Sequence, residues 1–185
     1  MSQKKFKGIS TVTLHTAGHD NDSFSHTTPI YATSTFTFNS AEEGMERFKG
    51  EDKSKLYTRW GNPTFVAAEQ TIAALESHGL MNEQGEPLQL KALLHSSGQA
   101  AMTTLFFSNL SAGDTLISHY SLYGGSQELM QKVLAEAGVK IILIDIHDEA
   151  LLIETITANP STKLIHLETP ANPTLQCVDI QAICT

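Results

Sequence analysis

Leu90-Lys91-Ala92-Leu93-Leu94-His95-Ser96-Ser97-Gly98-Gln99-Ala100-Ala101 is the stretch that decides the fold class of this 185-residue chain. Its apolar run, residues 90–94, predicts a β-strand that leads through small residues into an apolar helix over 100–110. The first turn of a helix has N–H groups without intrahelical partners, and the helix dipole places partial positive charge there. Gly98 permits close approach of an anion, and Ser97 adds a hydroxyl. The turn predicts a phosphate site or, as the simpler alternative, an ordinary start of a helix capped by Ser97.

Strand and helix patterns alternate after this turn. The sequence predicts strands at 115–118, 140–146 and 163–167, helices at 126–137 and 149–157, and the start of another helix at 179. We expect Leu129, Val133 and Ala137 to share the buried face of the helix over 126–137. Because strands that alternate with helices form parallel sheets, the pattern indicates an α/β domain.

The N-terminal part of the chain has a different pattern. Residues 1–38 are rich in Ser and Thr and lack a sustained helical period, which predicts an extended arm. Ser40 and Glu43 have capping-box spacing and predict a short helix. After a charged loop, Asn62-Pro63 begins a second helix, which Gly79 ends. We therefore expect an arm, short helix and loop over residues 1–61, followed by the first part of an α/β domain over 62–185.

Composition restricts the function classes. Twelve basic and 20 acidic side chains give a net charge of −8, which disfavours nucleic acid and anionic membranes as partners. No apolar run approaches the ~20 residues that cross a bilayer, and no secretory signal is evident, so we expect a cytoplasmic protein with a small-molecule function. The eight histidines lack HExxH or paired-ligand spacing, and the two cysteines lack CxxC spacing. No metal site is therefore predicted.

Five blocks, in order along nearly the whole chain, carry a resemblance to a known enzyme family. They are Pro29-Ile30-Tyr31-Ala32-Thr33-Ser34-Thr35-Phe36, Tyr57-Thr58-Arg59-Trp60-Gly61-Asn62-Pro63-Thr64, Ser96-Ser97-Gly98-Gln99-Ala100-Ala101, Leu122-Tyr123-Gly124-Gly125 and Glu168-Thr169-Pro170-Ala171-Asn172-Pro173-Thr174. Together they resemble the transsulfuration family of pyridoxal phosphate enzymes, which contains cystathionine synthases and lyases, homoserine sulfhydrylases and methionine gamma-lyase. The resemblance implies an incomplete three-layer α/β large domain of the aspartate-aminotransferase type, fold type I, with an extended N-terminal arm.

The same resemblance implies roles for individual residues. Gly98 and Gln99 would offer backbone N–H groups to the phosphate of pyridoxal 5′-phosphate. Tyr123 would stack on the cofactor ring and serve as an acid–base group, so it is the expected catalytic residue. Asn172 would donate to the ring hydroxyl oxygen, and Glu168 would organise the site.

Tyr57 and Arg59 form a separate pair, a phenol and a guanidinium two residues apart on a loop. Such a pair suits a phosphate, which accepts one neutral and one charge-assisted hydrogen bond. In the resembled family this pair reaches the phosphate of the neighbouring subunit. The resemblance therefore implies a homo-oligomer, a dimer or a tetramer, with sites across the dimer interface.

Two family residues have no match in this sequence. The lysine that forms the Schiff base and the aspartate that faces the pyridine nitrogen lie beyond the last matching block in the resembled family. None of the ten lysines stands in a similar segment; they are Lys4, Lys5, Lys7, Lys49, Lys53, Lys55, Lys91, Lys132, Lys140 and Lys163. The resemblance thus implies a truncated chain with negligible activity on its own.

Within the family, the resemblance favours an O-acylhomoserine sulfhydrylase or a cystathionine gamma-synthase of methionine or cysteine metabolism, with a small amino-acid substrate. Gly125 argues against methionine gamma-lyase, because members of that group carry a cysteine there; that lyase or a cystathionine lyase stays the alternative. A non-catalytic interaction protein derived from the family is a second alternative. An unrelated phosphate-binding domain loses support because the chain has neither GxGxxG nor GxxxxGK[ST].

Overall fold

The computed structural model describes residues 8–16, 23–50 and 54–184, in two units, Met1–Leu94 and His95–Thr185. Parts of the expected arm (1–7 and 17–22) and of the charged loop (51–53) lie outside the described residues. Within the described residues, no helix is both long enough and apolar enough to span a bilayer.

The described residues of the first unit form three helices: α1 (Ile9–His15), α2 (Ala41–Lys49) and α3 (Pro63–Glu76). The predicted starts of α2 and α3 are confirmed. The Ser40 hydroxyl accepts from the Glu43 N–H at 3.1 Å, and the Asn62 side chain accepts from the Thr64 N–H at 2.9 Å. Both caps satisfy N–H groups that the first helical turn leaves without partners.

The structure differs from the sequence prediction at two places in this unit. Residues Ile9–His15 of the expected extended arm form α1, which buries Val12 and lies against α3. Residues 90–94 are not a strand, because no neighbouring backbone in the described residues pairs with them. The Leu94 N–H instead donates to the Glu69 carboxylate at 2.9 Å. An apolar run becomes a strand only when another strand satisfies its backbone groups.

The second unit contains the predicted parallel sheet. Its central strand is β1 (Thr115–His119), which lies between β2 (Lys140–Ile144) and β3 (Thr162–His166). Every residue of β1 is buried, as expected for a central strand covered on both faces. The helices of this unit are α4 (Gly98–Asn109), α5 (Gly124–Glu128), α6 (Glu149–Ala158) and α7 (Ile180–Cys184).

The hydrophobic core of this unit packs α4 and the α5 region against the sheet. Its buried members come from α4 and the residue after it, from β1 and the loop after it, and from the chain between α5 and β2; they are Phe106, Leu110, Leu116, Leu122, Leu129, Met130, Leu134 and Val139. This packing fixes the start of α4 near the ends of the strands.

The helix predicted over 126–137 has an unexpected geometry. After α5 the chain continues as a π-helical segment, Leu129–Leu134. Leu129, Met130 and Leu134 are buried there, whereas Val133 is about half exposed and Ala137 is exposed. The predicted buried face, with Val133 in it, is therefore wrong in part, because a π-helix has more residues per turn than the α-helical period assumes.

Candidate functional site

The candidate site lies at the carboxyl edge of the sheet in the second unit. Because β1 and β3 are parallel neighbours, the segments that follow them leave the sheet at the same edge. Tyr123 comes four residues after β1, and Glu168 comes two residues after β3. Ligands of open parallel sheets bind at this edge.

Glu168 joins the two segments. Its carboxylate oxygens accept from the backbone N–H of Tyr123, both at 3.2 Å, and Oε1 accepts from the backbone N–H of Asn172 at 2.8 Å. Hydrogen bonds from N–H donors to a charged carboxylate are stronger than neutral ones. Glu168 therefore holds Tyr123 and Asn172 at fixed positions relative to each other.

The start of α4 supplies hydrogen-bond donors. The Ser97 hydroxyl accepts from the Ala100 N–H at 3.1 Å, and the Ser97 carbonyl accepts from the Ala101 N–H. Within the described part of the chain, the N–H groups of Gly98 and Gln99 have no acceptor. A Cβ added to Gly98 would meet no atom within 4 Å. This end of α4 therefore has two donors without an acceptor and an exposed glycine, as an anion site requires.

Tyr123 and Gln99 meet at Gly125. A Cβ added to Gly125 would lie 2.6 Å from Cε1 of Tyr123 and 3.0 Å from Nε2 of Gln99. The Ser126 hydroxyl, one residue further, contacts the Met102 sulfur at 3.5 Å. These contacts connect the first turns of α4 and α5, so the Tyr123 ring lies beside the start of α4.

The structure thus brings together all five of the predicted site residues that belong to the second unit. They are Gly98, Gln99, Tyr123, Glu168 and Asn172. The other two predicted residues, Tyr57 and Arg59, lie in the first unit and form a cluster of their own.

The loop that carries Tyr57 and Arg59 contains an aromatic cluster. The Arg59 guanidinium lies 5.5 Å from the ring centre of Tyr57 and 5.9 Å from that of Trp60, and Phe48 contacts Trp60 edge-on. Within residues 8–16, 23–50 and 54–184, no carboxylate forms an ion pair with Arg59. Two aromatic rings thus orient a guanidinium whose charge is available to an anion.

This loop is fixed by the part of the arm that contains the first matching block. The Thr58 N–H donates to the Ser34 carbonyl at 2.9 Å, and the Tyr31 N–H donates to the Thr64 hydroxyl at 2.9 Å. The Asn62 amide, which is 2% exposed, donates to the Tyr31 carbonyl at 3.0 Å. Asn62 therefore serves both as the cap of α3 and as an anchor of the arm.

A cluster of His119, Asp145 and His147 was not predicted from the sequence. His147 Nδ1 lies 2.9 Å from Asp145 Oδ1, and this hydrogen bond lowers the pKa of Asp145 and raises that of His147. His119 Nδ1 lies 3.3 Å from the buried Ile146 N–H, and its Nε2 lies 3.4 Å from Oε1 of the Gln176 side chain. His119 Nδ1 also lies 3.2 Å from the Ile144 carbonyl oxygen, so both ring nitrogens of His119 have partners within the protein.

The signal for this cluster was present in the sequence. His147 follows the strand predicted over 140–146, Asp145 lies near its end, and His119 follows the strand predicted over 115–118, so the parallel arrangement places them together. Their spacing matches no common ligand motif, which is why the sequence reasoning omitted them.

His166 ends β3 below the site. Its Nδ1 lies 2.9 Å from the Ser118 hydroxyl, and its ring packs edge-on against Phe106. Burial lowers the pKa of His166, and the nearby Glu168 charge opposes this shift only in part. His166 is therefore held neutral, as part of the packing beneath Glu168.

Comparison with known proteins gives a family match and several relatives. A family model described as "Cys/Met metabolism PLP-dependent enzyme" matches residues 10–185. The chain is 36% identical to L-methionine gamma-lyase of Porphyromonas gingivalis, over 96% of the chain and 41% of that protein. It is 33% identical to O-acetyl-L-homoserine sulfhydrylase of Corynebacterium glutamicum, over 95% of the chain and 38% of that protein. The chain therefore spans about 40% of the length of these relatives.

A solved structure shows the same fold. The chain superposes with a TM-score of 0.79 and 27% identity on a Campylobacter jejuni protein named for O-acetylhomoserine (thiol)-lyase, over 97% of this chain and 40% of that one. That structure carries a pyridoxyl-lysine phosphate. The expected architecture, part of a fold type I large domain with a parallel sheet, is confirmed.

The residues described here suit the phosphate of such a cofactor. The N–H groups of Gly98 and Gln99 have no acceptor within the described residues, and the half-exposed Tyr123 ring lies near Gln99. A phosphate needs donors, and a pyridine ring needs a flat apolar surface. With the family match over residues 10–185, these features lead to one conclusion: the chain belongs to the Cys/Met metabolism family of PLP-dependent enzymes.

Proposed function

We propose that the whole protein is a PLP-dependent enzyme that makes or breaks carbon–sulfur bonds of small amino acids in methionine or cysteine metabolism. The observation that supports this proposal best is the pair of free N–H groups at Gly98 and Gln99, beside the ring of Tyr123. When bound, pyridoxal phosphate supplies an electron sink that weakens the bonds at the α-carbon of an amino acid.

The first task of this chain's residues is to bind and orient. The start of α4 binds the phosphate through Gly98 and Gln99, where the helix dipole adds to the two hydrogen bonds. Glu168 sets the distance between Tyr123 and Asn172 by accepting both of their backbone N–H groups. Asn172 then donates to the ring hydroxyl oxygen, and Tyr123 covers one face of the ring.

Proton transfer is the second task. In this proposal the Tyr123 hydroxyl exchanges a proton with the substrate or its leaving group. The side chain is 49% exposed, so a substrate has access to the hydroxyl. The backbone of Tyr123 is fixed through Glu168, so only the side-chain torsions of Tyr123 set the position of its hydroxyl.

Tyr57 and Arg59 contribute to the site of a second subunit in this proposal. Their exposed loop, with Arg59 oriented by two aromatic rings, fits a phosphate outside their own unit. The proposed assembly is therefore a homo-oligomer with composite sites. The cytoplasmic location expected from the sequence stays a prediction, which cell fractionation would test.

The cofactor proposal is tested by comparing pyridoxal 5′-phosphate with pyridoxal in equilibrium dialysis against the 185-residue chain. We expect measurable binding of the phosphorylated compound and at least tenfold weaker binding of pyridoxal, because the phosphate contacts supply about 1.5–3 kcal/mol each. Equal affinity for the two compounds would contradict a phosphate site at the start of α4.

Two reaction types remain within the proposal. The family resemblance favours a sulfhydrylase or a cystathionine gamma-synthase, because this chain has Gly125 where methionine gamma-lyases carry a cysteine. The identity to L-methionine gamma-lyase favours a lyase. An assay of the whole protein would decide: formation of a thioether or thiol from O-acetyl-L-homoserine and a sulfur donor supports the first, and release of a thiol from L-methionine supports the second.

A further inference from the structure

The loop that carries Asn172, residues 171–178, contacts the chain that follows β2. His147 Nε2 lies 3.1 Å from the Cys177 carbonyl oxygen, near the end of this Asn172 loop. On the other side of the ring, His147 Nδ1 lies 2.9 Å from Asp145 Oδ1. The imidazole therefore bridges two segments that leave the sheet at its carboxyl edge.

This bridge requires a charged imidazole. Carboxylate and carbonyl oxygens only accept hydrogen bonds, so both contacts form together only when both ring nitrogens of His147 carry a proton. A neutral ring has one N–H, and the bond to the Asp145 carboxylate is the stronger of the two because its acceptor is charged. Loss of the other proton leaves the Nε2 lone pair against the Cys177 carbonyl oxygen, so this contact becomes repulsive.

Asp145 favours the protonated form of His147. The hydrogen bond to its carboxylate is the largest cause that raises the pKa of His147, and the bond to the Cys177 carbonyl adds to it, while burial opposes both. The fully buried ring of His119 packs edge-on against His147, with the ring centres 5.0 Å apart. The bridge is therefore present at low pH and is lost as the pH rises through a value above the ordinary 6.5.

The other titratable groups near the bridge have partners of their own. The carboxylates of Asp148 and Asp179 accept backbone N–H groups at the starts of α6 and α7. The Cys177 thiol contacts the Leu175 carbonyl oxygen at 3.7 Å. Only the backbone carbonyl of Cys177 takes part in the contact with His147.

The end of the loop that His147 holds is connected to Asn172. The carbonyl of Gln176, one residue before Cys177, accepts from the Ala171 N–H at 2.8 Å. Ala171 is fully buried and directly precedes Asn172. A displacement of Cys177 therefore reaches the residue that donates to the ring hydroxyl oxygen in the proposed function.

We propose that His147 is a positioning residue for Asn172 that acts only in its protonated form: the imidazolium ties Cys177 to Asp145, and deprotonation frees this end of the Asn172 loop. The inference rests on the proposed function for its consequence, the placement of Asn172 against a cofactor ring. The tether itself depends on the two hydrogen bonds of His147 alone.

The tether is measured by NMR on the ¹³C,¹⁵N-labelled chain from about pH 5.5 to about pH 9. Cys177→Ser is introduced in every sample, because it removes the titration of the thiol and keeps the backbone carbonyl. We expect the carbonyl carbon of residue 177 to shift with the same midpoint as the His147 ring, above pH 6.5. A carbonyl resonance that does not change with pH, or that has a different midpoint from His147, would overturn the proposal.

Two replacements separate the charge of His147 from its shape. His147→Arg has charged donors at every pH in this range, and His147→Gln is neutral throughout. Both are expected to abolish the pH-dependent shift of the residue 177 carbonyl. If the shift persists in either variant, another group causes it and the proposal is wrong. The titration with His147 in place needs neither variant, so it decides even if one of them folds poorly.

The link to the cofactor is tested with pyridoxine 5′-phosphate, which lacks the aldehyde and does not react with lysines. Because its phosphate also titrates, the pH dependence of its affinity is compared between the chain with His147 and His147→Arg. From about pH 6 to about pH 8.5, we expect the affinity of the first to fall about two- to tenfold relative to the second, the usual effect of losing one hydrogen bond.

Equal pH dependence of the two proteins would overturn the role of His147 toward Asn172 while leaving the proposed function intact. If neither protein binds the compound at any pH, the proposed function fails. The titration of the residue 177 carbonyl, which needs no ligand, still decides whether His147 holds the loop.

Discussion

At the residue scale, the side chains next to Arg59 orient its guanidinium before an anion binds. Tyr57 precedes Arg59 in the sequence and Trp60 follows it. The centres of both rings lie within 6 Å of the Arg59 guanidinium carbon. Stacking restricts the side chain to few rotamers, so less conformational entropy is lost when an anion binds.

Replacement of Arg59 by Met is therefore expected to weaken retention of pyridoxal 5′-phosphate by the whole protein. The loss of one charge-assisted hydrogen bond costs about 1.5–3 kcal/mol, or roughly 10- to 150-fold in the dissociation constant. Spectroscopic titration of the apoprotein measures it. Arg59→Lys, which keeps the charge, is the control and should lose less; unchanged affinity in Arg59→Met would reject the role assigned to this residue.

His166 gives a prediction about pH. Burial lowers its pKa in the folded chain below the ordinary value of 6.5, so the unfolded chain binds a proton first as the pH falls. The free energy of unfolding is therefore expected to decrease as the pH falls from about 7.5 to about 5.5, and this decrease should be smaller in His166→Asn.

Urea unfolding at several pH values measures this difference. His147, whose pKa is raised, contributes with the opposite sign, since its stabilisation is lost as the pH rises. That contribution is present in both proteins and cancels in the comparison. Identical pH profiles of the two proteins would show that His166 is not kept neutral by burial.

At the scale of elements, the start of α4 depends on Ser97. Its hydroxyl accepts the Ala100 N–H, and this bond fixes the first turn that presents the Gly98 and Gln99 donors. The same turn was interpreted from the sequence both as a phosphate site and as an ordinary capped helix. The structure contains the cap and the two free donors together, so the two interpretations are compatible.

Ser97→Ala is expected to lower the free energy of unfolding by about 1 kcal/mol, the usual effect of losing a helix N-cap. Binding of pyridoxal 5′-phosphate should weaken as well, because the first turn frays. Denaturant unfolding and dialysis measure the two effects. Ser97→Thr retains a hydroxyl and should be close to the unsubstituted chain; a Thr variant as unstable as the Ala variant would contradict the capping argument.

Element starts were predicted well because their causes are local. Ser40, Asn62 and Ser97 all cap helices as their sequence context indicated, since a cap involves only the next three residues. The π-helical segment was missed because residue types do not distinguish its wider turn from an α-helix. The failed strand at 90–94 depends on a partner strand, which is a property of the tertiary structure and not of the segment.

At the scale of the whole molecule, the sheet places the described lysines of the second unit away from the site. Lys140 begins β2, and Lys163 is the second residue of β3. A strand of five residues is roughly 13 Å long, so these two lysines lie near the amino ends of their strands, away from the carboxyl ends where the site is. The Lys132 ammonium binds Glu128 on the helix surface.

Borohydride reduction of the 185-residue chain with pyridoxal 5′-phosphate is therefore expected to give no single stoichiometric phosphopyridoxyl-lysine. Peptide mapping by mass spectrometry would show scattered, substoichiometric labelling. One unique labelled lysine at full occupancy would mean that the cofactor attaches within this chain, contrary to the family resemblance. Pyridoxamine 5′-phosphate, which cannot form a Schiff base with lysine, is the control for non-covalent retention.

The matching blocks that contain Tyr123 and Glu168 could be predicted to lie close together in space. Tyr123 and Glu168 follow neighbouring parallel strands, so their encounter required only the strand order. The position of Tyr123 and Gln99 beside the same glycine, Gly125, was not predictable, because it depends on the packing of α5 against α4. The His119 cluster needed both the strand register and the loop after β2.

The central claim is that the start of α4 binds the phosphate of pyridoxal phosphate. Amide chemical shifts of the ¹⁵N-labelled chain, titrated with pyridoxine 5′-phosphate and separately with pyridoxine, test it most directly. The account predicts that the phosphorylated compound produces its largest shifts at the backbone amides of Gly98 and Gln99 and that pyridoxine leaves them unchanged. Unperturbed Gly98 and Gln99 amides at saturating ligand, or equal shifts with both compounds, would contradict it.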